Sequence, residues 1–228
     1  MSQLALPLRL ADYAVFETFL AAGNEAVVDY LRSLPGAVKG GQGAWIWGSP
    51  ATGKSHLLQA TCERFADRAA YLPLASIVEA GPALLEGLES RQLVCIDDVD
   101  SVAGNDAWER GLFALCNALV EAGHHLVVSA AAPPRDSGIV LADLRSRLQR
   151  LATFHLRALD EASRMAALQL RASHRGLELP ADTARFLMTR SRRDMKSLYE
   201  LLDRLDLEAL RAQRKLTIPF VRDVLRGG

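Results

Sequence analysis

The stretch "GSPATGKS", Gly48 to Ser55, is the part of this chain whose residue types and spacing most plainly specify a chemistry. It fits G-x-x-x-x-G-K-[ST], a pattern that a chain of this length meets by chance about once in a hundred at average residue usage. Such a loop turns its backbone N–H groups inward around a β-phosphate, with the positive end of the following helix behind it. Lys54 then reaches the β and γ oxygens, and the Ser55 hydroxyl coordinates Mg²⁺. Ala51 stands at a position often held by glycine, and a side chain forced to positive φ costs roughly 1 to 2 kcal/mol. The loop predicts nucleotide binding, with Ala51 limiting its affinity.

A phosphate site of this kind needs an acid at the end of a neighbouring strand, and "LVCIDD" supplies two. Asp97 would hold Mg²⁺ through water, and Asp98 would orient or activate the attacking water. Paired acids after a strand are by themselves more often turn formers or helix caps. Beside a phosphate loop, the catalytic reading is preferred.

These residues require strands that end in loops and helices that follow. The chain alternates in that way: "AWIWG", a helix from about Lys54 to Asp67, "AAYLPL", a helix around Ile77 to Leu88, "QLVCID", a helix from about Asp106 to Ala122, "HHLVVSA", a short helix around Ala142 to Gln149, and "ATFHL". Most of these strands are continuous apolar runs, as expected where helices cover both faces of a parallel sheet. Ahead of them, Val27, Val28, Tyr30, Leu31 and Leu34 repeat at helical spacing until Pro35-Gly36, and a Gly-rich linker follows. From Asp160 onward only helical patterns remain, the last being "TIPFVRDVLR". The sequence thus predicts an α/β domain over 11–159 and a small all-helical lid over 160–228.

The 228 residues are half hydrophobic, and 27 basic side chains balance 27 acidic ones. Neutrality argues against a dedicated nucleic-acid binder, which needs an excess of Lys and Arg. Cys62, Cys95 and Cys116 form no CxxC and lie in apolar segments, so they read as buried hydrophobes in a reducing compartment. The histidines show no metal spacing; His124 and His125, being adjacent, point to opposite faces of a strand. With no run of about 20 apolar residues and no signal-peptide pattern, a cytoplasmic protein without membrane contact is expected. The apolar start "QLALPLRL" leaves two readings open. It is either a first strand or packing arm, or a docking peptide presenting Gln3, Leu4, Leu6 and Leu8, with Pro7 keeping the backbone extended.

Together these residues resemble the AAA+ part of the DnaA replication initiator, and most closely the short DnaA-inactivating Hda proteins. "GSPATGKSHLLQA" and "VCIDDVD" are similar to that family's nucleotide motifs, "FETFLAAGNEAVV" to its lead-in segment and "DLRSRL" to its arginine-finger box. "SRRDMKSL" resembles the sensor 2 helix and "QRKLTIPFVRDVL" the Hda C-terminus. The chain ends without the helix-turn-helix domain through which DnaA binds DNA, so no direct sequence-specific DNA binding is expected.

The resemblance implies a P-loop AAA+ fold with a helical lid and residues 1–10 as a ligand of the DNA polymerase III sliding clamp, contacted through Gln3, Leu4, Leu6, Pro7 and Leu8. It implies ADP or ATP with Mg²⁺ as cofactors, bound by Gly48, Pro50, Ala51, Thr52, Gly53, Lys54, Ser55 and His56, with Arg193 reaching the phosphates from the lid. Ser55 and Asp97 would hold the metal. Arg147 would be a finger that acts in trans on ATP bound to DnaA; judged without the resemblance, it reads as a solvated helix arginine beside Arg145 and Arg150. Ala131 stands where DnaA relatives often carry a polar acid, which implies little hydrolysis by the chain alone, with Ser129 as a partial substitute. The function implied is regulation of replication initiation through DnaA, with self-association left open. The alternative is an autonomous ATPase such as a DnaC-like helicase loader.

Overall fold

Apolar runs that alternate with helices cannot bury both faces singly, and here they assemble into one five-stranded parallel sheet. The computed structural model describes residues 14–36, 41, 43–190 and 195–226. Its strands are β1 (Gly43–Trp47), β2 (Ala69–Pro73), β3 (Leu93–Asp97), β4 (His125–Ala130) and β5 (Ala152–His155), in the order β2-β3-β4-β1-β5. Every pairing is parallel. The central strands β3 and β4 are buried along their whole length, whereas the edge strand β5 alternates half-buried and exposed residues.

Helices cover the sheet: α1 (Glu25–Ser33), α2 (Lys54–Phe65), the single turn α3 (Leu74–Ile77), α4 (Asp106–Ala122) and α5 (Ala142–Leu148). α4 runs over the predicted residues because its ends are written locally. The Asn105 side chain accepts the Trp108 N–H at its start, and Gly123 adopts a left-handed φ of 71° just beyond its last residue. Trp45, Val94, Ile96, Val128, Trp108, Leu112 and Leu144 form the core on the α4 side.

The helix expected around Ile77 to Leu88 is not formed. That segment breaks into three short 3₁₀ turns, Val78–Ala80, Pro82–Leu85 and Leu88–Ser90. Gly81 and Gly87 sit at φ 83° and 82°, where the backbone cannot continue a right-handed helix, and Pro82 offers no N–H. α2 likewise stops at Phe65, two residues early, because Ala66 turns to φ 51°.

The described residues fall into two compact units: 14–16 with Gly23–Arg157, and Glu17–Ala22 with 158–226. The second unit is all helical, with α6 (Glu161–His174), α7 (Ala181–Arg190), α8 (Met195–Ala212) and α9 (Ile218–Arg226). Its core gathers Leu168, Leu187, Leu198, Leu202, Leu205 and Phe220. Arg171 lies within it at 2% exposure, its guanidinium 2.9 Å from Asp203 and over the Tyr199 ring at 4.2 Å. None of the helices is long and apolar enough to cross a membrane among the described residues.

Candidate functional site

Parallel strands deliver their carboxyl ends to one edge of the sheet, and the loop after β1 and the acids at the end of β3 lie there. β1 ends at Trp47, and Gly48 donates its N–H to the Ala130 carbonyl at the end of β4. A Cβ at Gly48 would lie 2.5 Å from the Leu156 carbonyl oxygen, so only glycine lets the loop leave the sheet here. Gly53 takes φ 100° and hands the chain to α2. Ala51 adopts φ 61°, the strained left-handed conformation expected of it. Thr52 Oγ1 donates to the Ser49 carbonyl, and Lys54 Nζ donates to the carbonyls of Gly48 at 2.8 Å and Ser49 at 3.2 Å. The ammonium therefore spans the loop, and Pro50 and Ser55 are exposed beside it. His56 is turned to the lead-in segment, its ring nitrogen 2.8 Å from the Val15 carbonyl oxygen.

Two strands away, Asp97 closes β3 with its carboxylate buried. The Tyr71 hydroxyl donates to one carboxylate oxygen at 2.6 Å and Ser129 Oγ donates to the other. The same Ser129 oxygen accepts the Asp98 N–H at 2.9 Å, holding Asp98 at φ 54°. Ser129 thus fixes both acids from β4. Ala131, two residues on, offers no polar side chain, and its backbone N–H faces Asp100 Oδ2 at 3.4 Å. The Tyr71 phenol also lies within reach of Gln59 and Ser55 on α2, and burial together with the Asp97 charge raises it well above the usual tyrosine range. Burial, followed by the Asp97 charge, raises the Asp98 carboxyl above its ordinary value, with Lys54 partly opposing.

The donor set is hard oxygen: a buried carboxylate that accepts only hydroxyls, and the exposed hydroxyl Ser55 at the start of α2. That set fits Mg²⁺, which keeps several waters and takes one or two protein oxygens beside substrate phosphates. No group of three or more His, Cys, Asp or Glu able to hold a metal occurs among the described residues.

Arg147 lies on α5, half-buried, and its side chain makes no hydrogen bond or ion pair with another described residue. Burial pushes the neighbouring Cys116 thiol up to about 12, an effect the Arg147 charge partly opposes. Arg145 differs: its guanidinium donates to the Ile139 carbonyl. Arg193 and the expected clamp contacts Gln3, Leu4, Leu6, Pro7 and Leu8 lie outside the described residues. Sequence reasoning passed over Tyr71, which looked like one more apolar position in "AAYLPL". Its place opposite Cys95, two residues before Asp97, comes from the β2–β3 register, which the sequence alone does not fix.

Sheet, loop and acids define an AAA+-like α/β core followed by an all-helical unit. Residues 160–225 match the family model described as "Hda, lid domain". Among solved structures, the chain is similar to domain III of the Thermotoga maritima replication initiation protein DnaA. That match has a TM-score of 0.74 and 19% identity, and covers 96% of this chain and 98% of that one. It is also similar to AMPPCP-bound DnaA from Aquifex aeolicus, with a TM-score of 0.67, 21% identity, and 88% and 67% of the two chains covered. The Thermotoga maritima RuvB Holliday junction branch migration motor matches at a TM-score of 0.59 and 18% identity, over 90% and 69% of the two chains. At these identities the likenesses establish the fold.

Proposed function

We propose that this chain is a nucleotide-binding regulator of replication initiation that promotes hydrolysis of ATP held by DnaA. The observation that carries this reading is the pairing of an Hda-type lid over residues 160–225 with a core that has the fold of DnaA domain III.

In this reading the loop from Gly48 to Ser55 holds ADP or ATP through its N–H groups, and Lys54 exchanges its two loop carbonyls for phosphate oxygens. Ser55 and Asp97 are the residues that would hold Mg²⁺, which when bound supplies positive charge to the phosphates. Tyr71 and Ser129 keep the Asp97 carboxylate aimed at that place. Arg193 would add a phosphate contact. Asp98 would orient or activate an attacking water, and Ala131, standing where a polar acid is often found, supports a resting ligand that is retained more than it is turned over. Residues Gln3 to Leu8 would dock on the DNA-loaded sliding clamp, the β subunit of DNA polymerase III, and bring Arg147 to the ATP of DnaA. A guanidinium there would stabilise charge developing on the transferred phosphoryl group, an effect worth several orders of magnitude in rate in comparable sites. That the Arg147 guanidinium makes no hydrogen bond or ion pair within the described residues supports its being the finger.

The test is single-turnover hydrolysis of ATP preloaded on DnaA, with DNA-loaded clamp present, at fixed salt. Arg147→Ala is expected to abolish stimulation while keeping nucleotide and clamp binding, and Arg147→Lys to restore little because an ammonium lacks the planar fork. Arg150→Ala, which removes an exposed neighbour, should retain most of it. Full stimulation by Arg147→Ala would overturn the finger. No stimulation by the unmodified chain, with turnover of its own ATP instead, would favour an autonomous ATPase of the helicase-loader kind.

A further inference from the structure

Glu109 sits in the first turn of α4, where an acid is ordinarily a solvated residue that favours the helix N-terminus. It is 2% exposed. One carboxylate oxygen accepts the Gly104 N–H at 2.7 Å and the Val140 N–H at 3.0 Å. The other accepts the Leu141 N–H at 2.6 Å and shares the Val140 N–H at 3.2 Å. No Lys or Arg pairs with it among the described residues, so backbone dipoles from two separate segments hold the buried charge.

Those segments are the two that matter for the site. Gly104 ends the acid loop, which begins at Asp98 and is tied to β4 through Ser129 and, through Asp100, to Ala131 just past that strand. Val140 and Leu141 lead into α5, whose first residue follows a Leu141 that offers no side-chain cap. The segments also touch directly: a Cβ at Gly138 would lie 3.4 Å from that of Ala103. Without Glu109, N–H groups of both segments would lose this acceptor.

We infer that Glu109 is a positioning residue that clamps α5, and with it Arg147, to the acid loop of the same subunit. The clamp itself is independent of function; its consequence for hydrolysis rests on the finger reading above. One carboxylate then sets the trajectory of the finger helix from a helix that carries no other part of the site.

Two measurements on the full chain test this. Glu109→Gln preserves shape but turns an N–H donor toward N–H donors, so either Gly104 or Leu141 loses its acceptor and the hold on the two segments weakens. Hydrogen exchange should quicken together in 98–105 and 137–148, with 43–65 unchanged and the ADP-induced thermal shift retained. Exchange that rises in one segment only, or in neither, overturns the clamp. In the single-turnover assay, Glu109→Gln should lower the rate constant by about 10- to 100-fold, the scale on which small misplacements act, at an unchanged half-saturating concentration. Combined with Arg147→Ala it should be no slower than Arg147→Ala alone. An additive loss would mean that Glu109 acts apart from the finger. If the unmodified chain fails to stimulate, the finger reading fails and exchange still decides the clamp. Should Glu109→Gln lose its cooperative melt, Glu109→Asp, which keeps the charge and shortens the reach, carries both measurements.

Discussion

The Tyr71 hydroxyl donates to the Asp97 carboxylate at 2.6 Å across the β2–β3 pair, so the acid that ends β3 is aimed by its neighbour strand as well as by Ser129. Tyr71→Phe removes one of two hydroxyls from a buried anion and should destabilise the chain by about 1 to 3 kcal/mol. Urea denaturation at neutral pH measures it. An unchanged midpoint would show that water replaces the phenol without loss.

Lys54 bridges the carbonyls of Gly48 and Ser49. With ADP at 100 times its dissociation constant, ligand binding should stabilise the wild-type chain by about 2.7 kcal/mol. Lys54→Ala should lose nearly all of that gain. Thermal melts with and without nucleotide check it, and an undiminished shift would place the phosphate elsewhere.

Asp98 gives a pH signature. Burial and the Asp97 charge raise its folded value, so the native chain retains a proton that the unfolded chain has already released. Its contribution to stability is whole below the ordinary aspartate value and falls as pH rises through the window up to the folded value. Asp98→Asn tolerates φ 54° and has no such window. The stability of the variant relative to wild type should therefore climb with pH across the window and then level off. Denaturation midpoints across acidic and neutral pH test this, and a parallel pair of curves would contradict it.

The arm can be tested without reference to the rest. Gln3, Leu4 and Leu6 changed together to Ala should abolish capture on immobilised sliding clamp and leave the melting temperature unchanged. A markedly lower melting temperature would make the arm a packing element.

Local signals made much of this molecule legible in advance. β1, β3 and β4 were readable because strands covered on both faces must be apolar throughout, and α4 because Asn105 and Gly123 mark its ends. The segment after α3 misled because the apolar spacing from Ile77 to Leu88 resembles a helix, while two glycines at positive φ decide its course. The loop and both acids could be found because their chemistry is written in adjacent residues. Glu109 could not be found so: the Val140 and Leu141 amides it serves lie 31 and 32 positions away. Only the packing of α4 against the start of α5 brings them together.

The three tryptophans, Trp45, Trp47 and Trp108, all belong to the α/β unit. Selectively excited tryptophan emission therefore has no fluorophore in the helical unit, and dichroism weighted toward helices registers both. Coincident denaturation curves from the two probes would mean that the units unfold as one; a dichroism change without an emission change would date the loss of the helical unit separately. Trp47, half-buried, stacked on His155 at 4.0 Å and directly preceding Gly48, also makes the chain its own unlabelled reporter of what enters the loop.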